Sequence, residues 1–453
     1  MKEFLHLQDF CNNIFTKLLY TNYIKILKRR TFMRKTKIIV SLLLVIVLMF
    51  SMSSCLMIGG MLDSGMTEQD IKDFISGQLG NNVTVNGGDN FNITIEGGSS
   101  VASAAAKGLL SAVSIECNFK VSSAFNQNKV TVSTSSGSGV IYKLDKENGD
   151  AYIITNYHVV YNSSSKTSNK ISDDITVYLY GSEPQTVSGY GIKASYVGGS
   201  MNYDIAVLKV EGSRILAESS AREVDFADSN KVTVLDMAIA IGNAAAKGIS
   251  ATVGYVNVDS EYLEMEGADG YTPISLRVMR IDTAVNGGNS GGGLFNSEGN
   301  LIGIVNAKMV DDEIEGIGYA IPSNVVKYIA DNILYYCDGT SKESVYRCLM
   351  GITVQVTEAH AEFDTESGKV LKKETVTVGS VNSGAMVEGI LFSGDIIKSI
   401  EIDGKTYEVD RMYKVIDSML NARVGSSVTI NIVRQSEDMA ITLEITEDCV
   451  AEY

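Results

Sequence analysis

The stretch Asn286-Gly287-Gly288-Asn289-Ser290-Gly291-Gly292-Gly293-Leu294 sets a single serine among glycines on both sides. Taken alone, it is a flexible loop. A serine nucleophile, however, needs such neighbours. The backbone has to turn sharply and aim amide N–H groups at a developing oxyanion, and side chains there would block the scissile carbonyl. The expected donors are the amides of Gly288 and Ser290, with Asn289 assisting. A nucleophilic serine also needs a base and a group that orients the base. Two upstream segments supply candidates: Ile154-Thr155-Asn156-Tyr157-His158-Val159-Val160, and Asn202-Tyr203-Asp204-Ile205-Ala206-Val207-Leu208-Lys209. A lone histidine after a strand is usually structural, and an aspartate at the mouth of an apolar strand is often a turn residue. In the order His158, Asp204, Ser290 they form a set that can fix an imidazole tautomer and stabilise its charged form.

Around these segments the chain reads as mainly β. Short apolar runs punctuated by turns cover Ala151–Thr155, Ile175–Tyr180, Ile205–Val210, Ala238–Ile241, Leu276–Ile281 and Leu301–Val305, a pattern of barrels or sandwiches. Helical spacing from Ser323 to Tyr335 closes a first domain over residues 101–336. A smaller α+β unit follows over residues 346–449, with strands at Thr375–Val381, Asp395–Ile402, Ser427–Val433 and Ala440–Ile445, a turn at Asp403-Gly404 and a helix within Asp410–Leu420. The 42 glycines and only 3 prolines suit a turn-rich β body.

These segments resemble the HtrA/Deg family of trypsin-like serine proteases. Thr155–Val160 is similar to the family's histidine motif, Asp204–Leu208 to its aspartate motif and Gly288–Gly292 to its serine motif. Gly137-Ser138-Gly139-Val140-Ile141, Ala240-Ile241-Gly242-Asn243 and Gly316-Ile317-Gly318-Tyr319-Ala320-Ile321-Pro322 match further family segments, so the likeness covers residues 101–335. The resemblance implies a trypsin-like double six-stranded β-barrel, no cofactor, a homo-oligomer of the trimer type, and cleavage of misfolded or exposed envelope proteins after a small-to-medium apolar residue. It also implies that the second unit is a PDZ domain. There Leu349-Met350-Gly351-Ile352 resembles the loop that holds a peptide C-terminus, and Ser383-Gly384-Ala385 and Ser393-Gly394-Asp395-Ile396-Ile397 resemble the helix and strand beyond it. Two departures stand out. Ala244-Ala245-Ala246 replaces the proline the family usually has after Gly242-Asn243, and the acidic stretch Asp259–Thr272 reads as an elaborated regulatory loop.

The N-terminal part reads as an address. Arg34, Lys35 and Lys37 precede an apolar run from Ile38 to Phe50, and Met52-Ser53-Ser54-Cys55 resembles a lipobox whose Cys55 would carry lipid. The run is short of the roughly 20 apolar residues of a full span. Extended through Ile58 it makes an uncleaved anchor instead, and either reading puts the remainder outside the cytoplasm. Residues 1–32 are then a cytoplasmic lead or a mis-set start, 33–58 the signal or anchor, and 59–100 an Asn/Gly/Ser-rich spacer in which Val83–Val85 and Phe91–Ile95 alternate as a hairpin.

Composition excludes several classes. A net charge of -16 gives no electrostatic reason to hold nucleic acid. With no close Cys-x-x-Cys pair and only 3 histidines, a zinc or histidine-rich metal centre is unsupported. A Cys337–Cys348 disulfide is conceivable beside the reading of buried or incidental thiols. The strand–Gly-x-Ser-x-Gly–helix elbow of α/β-hydrolases is missing, which disfavours an esterase. Two other readings stay open: a non-catalytic scaffold that binds peptide C-termini, and a dedicated signalling protease with one membrane partner.

Overall fold

The computed structural model describes residues 83–86, 92–95, 101–122, 129–182, 190–309, 316–337 and 342–453. The expected membrane or lipid segment, Cys55 included, lies outside them. No helix among the described residues is long and apolar enough to cross a membrane. The chain divides into two units at Gly98/Ser99. In the first, strands β1 (Val83–Asn86) and β2 (Asn92–Ile95) pair antiparallel, the hairpin read from the alternation.

The second unit opens with helix α1 (Val101–Ser111) and then two closed six-stranded barrels. The first comprises β3 (Ala112–Ser122), β4 (Val130–Asp145), β5 (Asp150–Thr155), β6 (Asp174–Leu179), β7 (Ile192–Ser200) and β8 (Ile205–Val210), in the order β3-β4-β5-β8-β7-β6. Strand alternation builds it. Ile115, Cys117 and Phe119 point into the core while Lys120 faces water. Short helices α2 (Tyr157–Val160) and α3 (Arg214–Glu218) follow β5 and β8. The second barrel comprises β9 (Met237–Gly242), β10 (Ser250–Glu266), β11 (Pro273–Ile281), β12 (Gly293–Phe295), β13 (Leu301–Val305) and β14 (Gly318–Pro322), in the order β10-β11-β14-β13-β12-β9. Helix α4 (Ser323–Tyr336) covers the seam. Its Val325, Val326, Ile329 and Ile333 share one buried cluster with Val140 and Ile205 of the first barrel and Ile241 and Ile304 of the second.

The stretch Asp259–Thr272 is not a loop. It is the outer part of β10 and a short tip, running in register with β11 from Leu263↔Leu276 to Glu266↔Pro273. The charges masked a period of 2. Leu263 and Met265 pack on the core, whereas Glu264 and Glu266 face solvent.

The C-terminal module carries β15 (Tyr346–Cys348), β16 (Ile352–Asp364), β17 (Lys369–Val381), β18 (Ile396–Ile402), β19 (Lys405–Glu408), helix α5 (Tyr413–Met419), β20 (Ser427–Arg434), β21 (Glu437–Glu444) and β22 (Val450–Glu452). The sheet order β16-β17-β18-β20-β21 leaves β16 at an edge, and the Asp403-Gly404 turn joins β18 to β19 as read. The helix expected around Ser383-Gly384-Ala385 is absent. The chain there makes successive tight turns, Ala385 N–H to Asn382 O and Glu388 N–H to Ala385 O, while Glu388 Oε2 takes the Gly384 N–H. Those bonds replace a helical ladder.

Barrel and module meet on charge. Arg277 of β11 and Asp417 of α5 lie 2.7 Å apart with side chains 5% and 11% exposed. The contact is a close ion pair without hydrogen-bond alignment, since neither Arg277 Nη2 nor Asp417 Oδ2 has a well-directed partner. Burial pushes the Asp417 carboxyl up, and the guanidinium opposes that push. The Tyr413 ring backs Arg277 at 3.9 Å, and Arg411 bonds Asp259 at 2.5 Å. Asp417→Ala leaves Arg277 buried without a countercharge. It is expected to cost about 3–5 kcal/mol in a urea or thermal melt. The paired apolar change Arg277→Met with Asp417→Leu should recover most of the loss. Equal melts for wild type and Asp417→Ala would contradict this account of the interface.

Candidate active site

His158 sits on α2, directly after β5, and Asp204 on the turn that feeds β8, so both come from the first barrel. Their side chains meet at 2.7 Å, His158 Nδ1 to Asp204 Oδ2. The His158 backbone N–H donates to Asp204 Oδ1 at 3.0 Å. Asn156 Nδ2 donates to the Asp204 carbonyl at 2.8 Å and fixes the turn. The pair is shielded, with side chains 18% and 5% exposed. Asp204 Oδ2 takes a further donor from the second barrel, Asn306 Nδ2 at 2.7 Å.

Ser290 lies on the loop between β11 and β12 and is buried. Its Oγ accepts the Ala307 N–H at 3.2 Å. Among the described residues no hydrogen bond joins Ser290 to His158. Ser138 of β4 holds the serine loop from across the seam. Its N–H donates to Ser290 O at 2.8 Å, its Oγ donates to Gly288 O at 2.7 Å, and the same Oγ accepts Asn243 N–H at 2.7 Å. Gly288 takes φ +95°, and a Cβ on Gly291 would stand 2.2 Å from Ser138 O. The glycines around Ser290 therefore answer both to a turn and to a close approach of two backbones.

Of the three expected donors, the amides of Gly288 and Ser290 have no partner among the described residues. The Asn289 amide is already bonded to Asn286 O at 3.0 Å, so it is not an available donor here. Ala244-Ala245-Ala246, where proline was expected, forms a 3₁₀ turn whose Ala245 N–H holds Gly287 O at 2.7 Å. The arrangement can therefore polarise an imidazole and leaves two amides unpartnered on the loop that carries the Ser290 hydroxyl.

Ser138, Asn306 and Ala307 were not singled out from the sequence. Ser138 belongs to the Gly137–Ile141 segment, whereas no motif marks Asn306 or Ala307. Lys308, next along, donates from Nζ to the carbonyls of Glu266 and Gly267 at 3.0 and 2.5 Å, which ties this segment to the β10–β11 tip.

In the module, the Leu349 amide is taken by Cys449 O at 2.7 Å. The amides of Met350 and Gly351 have no partner among the described residues, and Ile352 starts the edge strand opposite Val381. The conceivable Cys337–Cys348 disulfide is not formed, and burial pushes the pKa of the Cys348 thiol up to about 12. Among the described residues no group of three or more acidic, His or Cys side chains could hold a metal ion.

Residues 137–304 match the trypsin-like peptidase domain family. The chain is 33% identical over 327 residues to "Serine protease Do-like HtrA" of Bacillus subtilis (strain 168), covering 69% of this chain and 64% of that protein, a little under two thirds of its length. It is 33% identical over 317 residues to the protein of the same name from Lactococcus lactis subsp. cremoris (strain MG1363), covering 66% of this chain and 70% of that one. "Periplasmic serine endoprotease DegP" of Escherichia coli (strain K12) is 31% identical over 315 residues, 69% of this chain and 57% of its own. Match, barrels and motif order agree, and the chain belongs to the HtrA family of trypsin-like serine proteases.

Proposed function

We propose that this protein is a serine endopeptidase in which Ser290 attacks a peptide carbonyl, His158 is the base and Asp204 orients it. The observation that carries the reading is the 2.7 Å contact between His158 and Asp204 beside a loop with two unspent amides. His158 takes the Ser290 proton and returns it to the leaving amine, while Asp204 holds the imidazole through Nδ1–H. The Gly288 and Ser290 amides receive the oxyanion of the tetrahedral intermediate; such a donor is worth about 10²–10³ in rate. Before attack, Ser290 Oγ exchanges the Ala307 N–H for His158 Nε2. Ser138 is assigned to keep the donor loop in shape, since it holds Gly288 O and Ser290 O together.

The C-terminal module is read as a PDZ domain. A peptide C-terminus would meet the Met350 and Gly351 amides and extend along the open edge of β16. Substrates are unfolded or exposed proteins outside the cytoplasm, a reading supported by the word "Periplasmic" in the name of the DegP relative. Tethering through residues 33–58, by lipid on Cys55 or by a helix, and assembly into a homo-oligomer such as a trimer, complete the proposal.

Casein incubated with the full chain should be degraded, and Ser290→Ala should abolish the cleavage. Equal turnover by both proteins would sink the assignment of Ser290. Ser138→Ala is expected to lower kcat by about 10-fold or more, through loss of one positioned donor, with a smaller change in KM. An unchanged kcat would remove Ser138 from the site. For the module, a fluorescent peptide ending in a free carboxylate and an apolar residue should bind, whereas its C-terminal amide should not. Equal binding of the two peptides would contradict the carboxylate loop.

A further inference from the structure

We propose that Tyr453, the residue after β22 in the C-terminal module, is a positioning residue for Asp204. It acts through the two flanks of the turn that carries the carboxylate. The inference rests on the triad reading above and adds to it a residue from outside the barrels. Asp204 has a backbone that needs support. It takes φ +48°, a left-handed conformation that crowds its own Cβ and persists only where the surroundings hold it. Its turn, Met201 to Asp204, closes on a long bond from Asp204 N–H to Met201 O at 3.2 Å. The turn is flanked by Ser200, the last residue of β7, which pairs with Ile205 of β8. Tyr203 stands inside it, directly before Asp204.

Tyr453 touches both places. Its ring centroid lies 5.2 Å from that of Tyr203, with the planes tilted by 45°. Ser200 Oγ donates to Tyr453 O at 3.4 Å. Arg347 of β15 completes the cluster. Its guanidinium sits 3.7 Å over the Tyr453 ring, and its Nη1 donates to the Tyr203 hydroxyl oxygen at 3.3 Å. Burial pushes the Tyr203 phenol up, with Arg347 opposing the push, so that oxygen accepts as a neutral phenol. Each of the three side chains therefore contacts the other two. An aromatic pair and a cation over a ring both have preferred geometries, so the cluster has a direction that plain apolar packing lacks.

The ring is delivered by regular structure. Strand β22 pairs with β15 from Tyr346↔Glu452 to Cys348↔Val450. The Tyr453 N–H then donates at 2.9 Å to the carbonyl of Val345, which is fully buried in the cluster shared by both barrels. A shift of the Tyr203 ring turns the Tyr203–Asp204 peptide, and with it the carboxylate that meets His158 Nδ1. Tyr453 itself is 40% exposed. It is no core residue, and removing its ring should leave the module folded.

The test uses the full chain labelled with ¹⁵N-histidine, in a Ser290→Ala background so that self-cleavage plays no part. At a pH where the ring is neutral, the ¹⁵N shifts of His158 report which ring nitrogen carries the proton, and a carboxylate accepting at Nδ1 holds the proton there. His158→Gln assigns the signals among the 3 histidines. Tyr453→Ala removes the ring and should move His158 towards the tautomer protonated at Nε2. Tyr453→Phe keeps the ring under Arg347 and against Tyr203 and should hold the wild-type tautomer. With Ser290 restored, kcat on casein should fall about 10-fold in Tyr453→Ala with KM little changed, and Tyr453→Phe should stay within about 2-fold of wild type. A thermal melt identifies a variant that fails to fold. Tyr453→Leu, which keeps apolar bulk without a ring face, then carries the test. A His158 tautomer unchanged in the folded Ala or Leu variant overturns the proposal and leaves Tyr453 as a contact between module and barrel alone. A changed tautomer in a protein whose wild type shows no Ser290-dependent cleavage would support the coupling of Tyr453 to Asp204 and remove the endopeptidase reading alone.

Discussion

A backbone hydrogen bond of 2.8 Å, from Ser138 N to Ser290 O, is the constraint on which the centre of the molecule depends. It joins a strand of one barrel to the serine loop of the other. Around it the chains are so close that Gly291 cannot carry a side chain, and Ser138 Oγ spans Gly288 O and Asn243 N. Two separately closed barrels have no reason of their own to meet in one register. These bonds supply it locally, while the apolar cluster shared by α4, Ile205 and Ile241 supplies the driving force for contact. Hydrophobic burial is non-directional, so the polar bridge at Ser138 is what turns contact into alignment.

How much of this was legible in the sequence follows from the range of each signal. Strands with clean alternation or full burial, such as Ile205–Val210 and Leu301–Val305, coincide with the structure because a period of 2 is a local property. In Asp259–Thr272 the charge density hides the same period from the sequence. The helix expected near Ser383 was carried by resemblance, and the local side-chain bond from Gly384 N–H to Glu388 defeated it. His158, Asp204 and Ser290 stood out through their motifs, and the structure brings the first two into contact. Asn306 and Ala307 were illegible for a different reason. Neither residue type signals chemistry, and each matters only through a partner more than 10 positions away along the chain. No pattern within a short window carries that information.

The join between barrel and module uses a costly kind of contact. A buried Arg277–Asp417 pair must repay two desolvations, and apolar side chains of the same volume would often bind as well. What the charges add is orientation. The guanidinium is planar and sits on the Tyr413 ring while facing Asp417, so α5 has one angle on β11 that satisfies both contacts. Arg411 bonds Asp259 on the same hairpin, whose tip is bonded in turn to Lys308. The module is thereby docked to the hairpin that reaches the active-site segment, rather than to a remote face of the barrel.

The site is built in two halves with different degrees of commitment. Asp204 is bound by His158 and Asn306 and its turn is fixed by Asn156, so the His158–Asp204 half is held by its own hydrogen bonds. Ser290 is not joined to it, because its Oγ is held by the Ala307 amide at 3.2 Å. Moving the hydroxyl from that amide to the imidazole exchanges one hydrogen bond for another. Each is worth only about 0.5–1.5 kcal/mol net, so the exchange is close to balanced. A nearly balanced exchange can be tipped by whatever moves residues 306–308, and those residues are bonded to Asp204 and Ser290 at one end and to the β10–β11 tip at the other. The contact that holds the Ser290 hydroxyl is therefore also placed where the rest of the fold can act on it.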